Sequence, residues 1–199
     1  MKIVAIIGTY RKGGIIDLAV DEILSAAREQ GAETQKIYLI DRHIEFCTNC
    51  RACTLQPGET RGQCPTQDDT SGILDQIEQA DAFVLASPMN FWTVTAVTKR
   101  FIERLVCYAY WPWGTGAPKA RRKGGTKTAV LVASSAAPAI MARPMTRMIG
   151  LMKSTATLLG ARKKHVLFIG LAAMKQNQHL SPRTRKKARR LGQKIARAT

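Results

Sequence analysis

The last 82 residues of this 199-residue chain contain no aspartate or glutamate. All 14 acids lie in residues 1–117, which with 11 bases carry a net −3, while residues 118–199 carry 20 bases. Also missing is any apolar run of the ~20 residues a membrane-spanning helix needs; Val166–Met174, interrupted by Gly170, is the nearest approach. Met1-Lys2 leads directly into Ile3–Ile7, which Gly8 ends, and no cleavage-site pattern follows. These absences argue for a soluble, cytoplasmic protein. No internal repeat or linker divides the chain, so a single domain is expected over residues 1–199. Hydrophobic residues make up 45% of it, enough to bury a core. The acid-free half reads either as a solvated basic surface or as a face for an anionic partner. A phosphorylated cofactor, nucleic acid, an anionic lipid surface or an acidic redox protein would each suit that charge.

Apolar runs alternate with helical-period stretches, the pattern of βαβ units around a parallel sheet. Strands are expected at Lys2–Gly8, Glu33–Ile40, Ala82–Ala86, Lys127–Ala133 and His165–Leu171. Helices are expected at Asp17–Gln30, stopped by Gly31, at Ser71–Gln79 and at Val94–Val106. Pro144 opens a further helix that Gly160 closes, and a last basic helix starts at Ser181-Pro182. Five strands with intervening helices predict a doubly wound α/β sheet with helices on both faces. Such sheets bind ligands beyond the carboxyl ends of their strands. Two segments interrupt the alternation, a cysteine-bearing loop over about 41–69 and a Trp-, Pro- and Gly-rich stretch over about 108–125. A loop as long as the first is suspected of function.

Three strand-end segments carry candidate chemistry. Gly8-Thr9-Tyr10-Arg11-Lys12-Gly13-Gly14 is neither a Walker loop nor a dinucleotide fingerprint, since Gly14-Ile15 replaces Lys-Ser/Thr and no G-x-G-x-x-G is present. Its amides at a helix N-terminus, the Thr9 hydroxyl and the Arg11 cation can still hold a phosphate. Ser87-Pro88-Met89-Asn90-Phe91-Trp92-Thr93 follows the third strand and suits a loop presenting backbone groups to a flat ring. Ser134-Ser135-Ala136-Ala137 follows the fourth, with side chains small enough for close approach by a ligand.

Cys47, Cys50 and Cys53 form C-x-x-C-x-x-C, and Cys64-Pro65 follows ten residues later. Thiolates at this spacing can converge on a [4Fe–4S] cluster, on zinc, or serve as redox thiols; inert loop cysteines are the remaining reading. Cys107, on an apolar helical face, is expected in the core. His43, His165 and His179 are scattered without ligand spacing, and no Ser-His-Asp set is identifiable. The cluster Tyr108–Trp113 can line a ligand site, form a subunit contact or pack on its own domain.

The Gly8–Gly14 turn, the cysteine run, Asp68-Asp69, Ser87-Pro88 and Lys99-x-Phe101-Ile102-x-Arg104 occur in an order that resembles the NADPH-dependent FMN reductase and iron–sulfur flavoprotein family. The resemblance implies a flavodoxin-like fold and an FMN-dependent oxidoreductase reduced by NAD(P)H, often a homodimer or homotetramer. It implies an FMN phosphate site at Thr9, Arg11, Gly13, Gly14, Ile15 and Ile16, and ring contacts from the two later loops. Two departures stand out. Ile15 and Ile16 replace polar Asn and Thr, leaving only backbone donors, and Trp92 stands where a glycine is common. An electron carrier linking FMN to a [4Fe–4S] cluster, and a flavodoxin-fold binding module that has lost FMN, are the rival classes. The terminal basic helix lacks interleaved aromatics or a groove-reading motif, so an anionic redox partner or cofactor is expected there and only non-specific attraction to nucleic acid.

Overall fold

The computed structural model describes residues 1–121 and 124–197. In chain order its elements are β1 (Lys2–Ile7), α1 (Ile15–Arg28), β2 (Glu33–Tyr38), α2 (Ala52–Leu55), α3 (Thr70–Gln79) and β3 (Ala82–Pro88). Then come α4 (Ala96–Arg104), β4 (Ala109–Tyr110), β5 (Lys119–Ala120), β6 (Lys127–Ser134), α5 (Ala139–Met145), α6 (Met148–Leu158), β7 (Ala161–Ile169) and α7 (Pro182–Ala196). The five long strands form one parallel sheet in the order β2-β1-β3-β6-β7, the flavodoxin-like order.

Alternation along β1 explains the two layers. Ile3, Ala5 and Ile7 pack with residues of α1 and α7, such as Val20, Ile23 and Ile195. Val4 and Ile6 face the opposite layer, with Ile73 of α3, Phe101 of α4 and Met152 of α6. The basic helix α7 docks on α1 through Ala188, Gly192 and Ile195. A Cβ on Gly192 would lie 2.1 Å from the Ile23 carbonyl oxygen, so only glycine permits this approach.

Several boundaries differ from the sequence reading. β7 begins at Ala161, not His165, because an edge strand with a solvent-facing side accommodates Arg162, Lys163 and Lys164; its pairing with β6 skips Arg162. Pro144 does not open a helix but sits in the last turn of α5. The break falls at Thr146, whose hydroxyl oxygen accepts the Met148 amide at 3.1 Å as α6 begins. The long cysteine loop contains α2, and the aromatic stretch contains the antiparallel pair β4–β5; residues 122 and 123 of that stretch lie outside the described residues. Among the described residues no helix is long and apolar enough to cross a membrane.

Candidate functional site

The phosphate-type turn is built where β1 ends. The Gly8 carbonyl accepts from Thr95 Oγ1 at 2.6 Å, and a Cβ at Gly8 would stand 1.8 Å from Thr98 Oγ1. Glycine therefore lets the N-terminus of α4 close onto the turn. Gly13 takes φ +71°, a left-handed conformation that glycine adopts without penalty. Gly14 is the N-cap of α1 and supplies no side-chain cap. The Ile15 and Ile16 amides thus head a helix without acceptors inside it, at its positive end, while their side chains are buried. Thr9 Oγ1 accepts the Arg11 amide at 3.3 Å. The Arg11 guanidinium crosses to the loop after β7, donating to the Gln176 carbonyl at 3.1 Å.

An unforeseen carboxylate braces this turn. Asp17, buried in the first turn of α1, accepts the Gly13 amide at 2.7 Å, Lys36 Nζ at 2.7 Å and the Tyr38 hydroxyl at 2.8 Å. Burial alone would raise its pKa, but the Gly13 amide, Lys36 and Tyr38 hold it below the ordinary 3.8. An acid at the third position of a helix reads in sequence as a routine N-terminal acid. Only its partners Lys36 and Tyr38 on β2 reveal the brace.

The second loop carries strained aromatics. In the Asn90–Thr93 turn each end residue's amide donates to the other's carbonyl, at 2.9 and 3.1 Å. Both central residues have positive φ, +47° at Phe91 and +69° at Trp92, as a type I′ turn requires. Side chains other than glycine lose about 1–2 kcal/mol each in that region. The glycine common at the Trp92 position is explained by this geometry. Phe91 is 97% and Trp92 56% exposed, so the strain is not offset by burial of Phe91. Thr146 Oγ1 donates to the Trp92 carbonyl at 2.6 Å. Upstream, Ser87 Oγ accepts the Thr95 amide at 3.1 Å and donates to the Pro88 carbonyl at 3.0 Å. The Met89 amide donates to the Ser134 carbonyl at 2.7 Å, and Ser135 is tied through its amide to the Ile169 carbonyl at 2.9 Å. The Tyr10 hydroxyl accepts the Ala96 amide at 3.0 Å. All three loops meet at the carboxyl edge of the sheet.

The four cysteines meet elsewhere. Cys47, Cys50, Cys53 and Cys64 line one cavity of about 320 Å³ with Arg51, Thr66, Arg104 and Trp111; none is in a disulfide. Asp68 and Arg104 form a buried ion pair, their side chains 1% and 3% exposed. Asp68 also accepts the Glu45 amide at 2.8 Å and the Thr70 amide at 2.9 Å. Arg104 donates to the Glu45 carbonyl at 2.9 Å and to Cys64 Sγ at 3.3 Å. Burial pushes the Cys64 thiol up, yet hydrogen bonds from Thr66 and the Arg104 cation bring it below its usual value. Cys53 is pushed up by burial and by the other three thiols. Burial raises Cys107 to about 12, in keeping with its core placement. Arg51 is stacked between Trp111 and Trp113, 4.3 and 3.8 Å from their ring centres. The Trp111 amide donates to the Thr54 carbonyl at 2.8 Å. The aromatic stretch therefore packs on the cysteine loop of its own chain.

Among the described residues no three His, Cys, Asp or Glu side chains are grouped as ligands of a single metal ion. The donor set in the cavity is four thiols without a lining carboxylate, which by ligand type fits a [4Fe–4S] cluster as well as zinc.

The acid-free half divides. Part of α7 pairs inward: Arg185 with Glu22 at 2.9 Å, Arg189 with Glu29 at 2.6 Å. Lys163, His165, Arg190, Lys194 and Arg197 line a groove between β7 and α7. His165 is held below its usual pKa by burial and then by Lys194 and Lys163. Lys163 and His165 lie in the first half of β7, so this groove is at the opposite end of the sheet from the three loops.

The family model for NADPH-dependent FMN reductase matches residues 1–161. The chain belongs to this family. It is 34% identical over 112 residues to an iron-sulfur flavoprotein of Archaeoglobus fulgidus, covering 56% of this chain and 49% of that one. It is 36% identical over 104 residues to an iron-sulfur flavoprotein of Methanocaldococcus jannaschii, covering 52% and 51%. The chain thus spans about half the length of these curated relatives. Among solved structures, an FMN-dependent NADH-azoreductase from Bacillus anthracis in complex with FMN is similar in fold, with TM-score 0.72 at 12% identity over 98% of this chain and 100% of that one. A flavone reductase matches with TM-score 0.65 at 21% identity, covering 100% and 62%. The uncapped α1 end, Thr9 and the Gly13–Gly14 bend lie at the same edge of the sheet as Ser87–Trp92 and Ser134–Ser135.

Two outcomes follow from this geometry. Phe91→Gly removes positive-φ strain at a side chain with almost no burial to lose, so the chain should gain about 1 kcal/mol in urea unfolding. A loss instead would mean that Phe91 is not held in that conformation. Asp17 and Asp68 both titrate below 3.8 when folded. Their stabilisation is complete above the unfolded value of about 3.9 and is lost as pH falls through the folded values. Asp68→Asn should cost about 3–5 kcal/mol near pH 7, leaving Arg104 buried without its counter-ion. Either Asn variant should also flatten the acid limb of stability against pH; a limb as steep as wild type would refute the assignment.

Proposed function

We propose that this chain binds FMN at the carboxyl ends of its strands and works as an NAD(P)H-dependent oxidoreductase. The observation that carries this reading is the uncapped N-terminus of α1 behind Gly13 and Gly14, in a member of the FMN reductase family. Bound there, FMN would supply a ring that takes hydride from a nicotinamide and gives up electrons. The chain's own part is to hold and orient it. The Ile15 and Ile16 amides, with Thr9, would hold its phosphate. Arg11 closes the turn against the Gln176 loop, and Asp17 keeps Gly13 in the bend that aims these donors. Phe91 and Trp92 stand at the mouth, where planar side chains limit what approaches the ring. Exposed Ile140, Met141 and Met145 on α5 support a homodimer or homotetramer closing over that mouth.

A second reading adds to this one. The convergence of Cys47, Cys50, Cys53 and Cys64 supports a [4Fe–4S] cluster in their cavity, making the chain an electron carrier between flavin and cluster. The basic groove lies at the wrong end of the sheet to deliver electrons, which favours general attraction to polyanions over docking of a redox partner there. Protein reconstituted without oxygen should release FMN, not FAD, on denaturation and contain about four irons and four sulfides per chain. Its flavin band should bleach with NADPH or NADH. Folded protein that takes up no flavin would overturn the oxidoreductase reading in favour of a binding module. Flavin without iron would remove the carrier.

A further inference from the structure

We infer that Arg104, aligned by Asp68, is the positioning residue that sets how firmly the group held by the four cysteines accepts an electron. This rests on the iron–sulfur reading above. Arg104 is the last residue of α4 and is buried. Both ends of its fork meet Asp68: Nη1 serves Asp68 and the Glu45 carbonyl, while Nη2 donates to Asp68 Oδ1 at 3.4 Å and reaches Cys64 Sγ at 3.3 Å. Asp68 does not need the arginine to fold its own loop, since the Glu45 and Thr70 amides already bind it. What the pair adds is a guanidinium plane fixed from behind and aimed at one sulfur.

Hydrogen bonds to cluster sulfurs and nearby charge set the reduction potential of such centres. The step would be transfer of one electron from reduced FMN to that group, which would become one unit more negative as the flavin is oxidised by one electron, with no bond formed or broken at the group. A cation donating to a ligand sulfur favours the more negative form, so Arg104 should raise the potential. The cavity's other cation, Arg51, is taken up by the two tryptophan rings and the Trp111 carbonyl. Lysine retains the charge but not the fork that meets Asp68 and sulfur together. Glutamine retains a donor without the charge.

The test is an anaerobic redox titration of the full reconstituted chain, followed by electron paramagnetic resonance, for wild type, Arg104→Lys and Arg104→Gln. FMN absorbance is followed in the same samples. The equilibrium constant for reducing the cluster should fall about tenfold or more in Arg104→Gln, about 59 mV for one electron, and less in Arg104→Lys. The FMN potential should stay unchanged. In wild type, exchange into deuterium oxide should shift the iron–sulfur stretching bands, and the shift should shrink in Arg104→Lys. Iron-loaded variants with wild-type potentials would overturn this inference alone. If both variants fold but load no iron, the residue serves assembly and the inference also fails. Wild type that loads no iron overturns the iron–sulfur reading beneath it.

Discussion

One buried guanidinium holds the irregular part of this chain together. Arg121, on the residue after β5, donates to the carbonyls of Cys53, Gly58, Cys107 and Ala109 at 2.8–3.2 Å. The cysteine loop has little regular structure, so its buried carbonyls need donors from outside the loop. A long fork-shaped cation can serve several of them at once. Gly62 belongs to the same knot, since a Cβ there would lie 1.9 Å from the Cys53 carbonyl oxygen. Lys127 repeats the device at the end of α3, donating to the carbonyls of Ile77, Glu78 and Ala80. The basic excess of residues 118–199 is therefore partly an internal supply of donors. Another part answers the acids of α1, through Arg185 and Arg189. Lys163, Arg190, Lys194 and Arg197 line the open groove beside β7.

A single helix ties the two sites into one frame. The N-cap of α4, Thr95, holds the Gly8 carbonyl at the phosphate turn. Its last residue, Arg104, holds Cys64. The nine residues of α4 span about 14 Å at about 1.5 Å per residue. The Gly8–Gly14 turn and the cysteine cavity are thus fixed relative to one another by a rigid element whose ends are each tied into one of them. The strain at Phe91 and Trp92 lies at the mouth of the first site, where conformations disfavoured by local energetics are commonly kept for function.

Much of this was legible in the sequence. Buried strands announce themselves by continuous apolar runs, as in Ile3–Ile7 and Ala82–Ala86, and Gly31 marks a helix stop plainly. The cysteine spacing pointed to convergence, and the four side chains do share a cavity. Less legible were features set by partners distant in sequence. β7 begins four residues early because its bases face solvent, which an apolar-run criterion misses. Asp17 and Arg121 carry no local signal in the sequence, and Arg104 stands out there only as part of the Lys99-x-Phe101-Ile102-x-Arg104 motif. Their burial depends on Tyr38, Asp68 and the Cys53 carbonyl, which local periodicity does not reveal. The positive φ at Trp92 was hinted at only by the glycine usual at that position.

The central claim is that the α1 end holds a flavin phosphate with the Ile15 and Ile16 amides and Thr9. The direct measurement is quenching of flavin fluorescence when the flavin-free chain is titrated with FMN and, separately, with riboflavin. The account predicts saturation at one FMN per chain and at least about tenfold weaker binding of riboflavin, which lacks the phosphate and its charge-assisted bonds. Equal affinity for the two, or no quenching by either with folded protein, would contradict it.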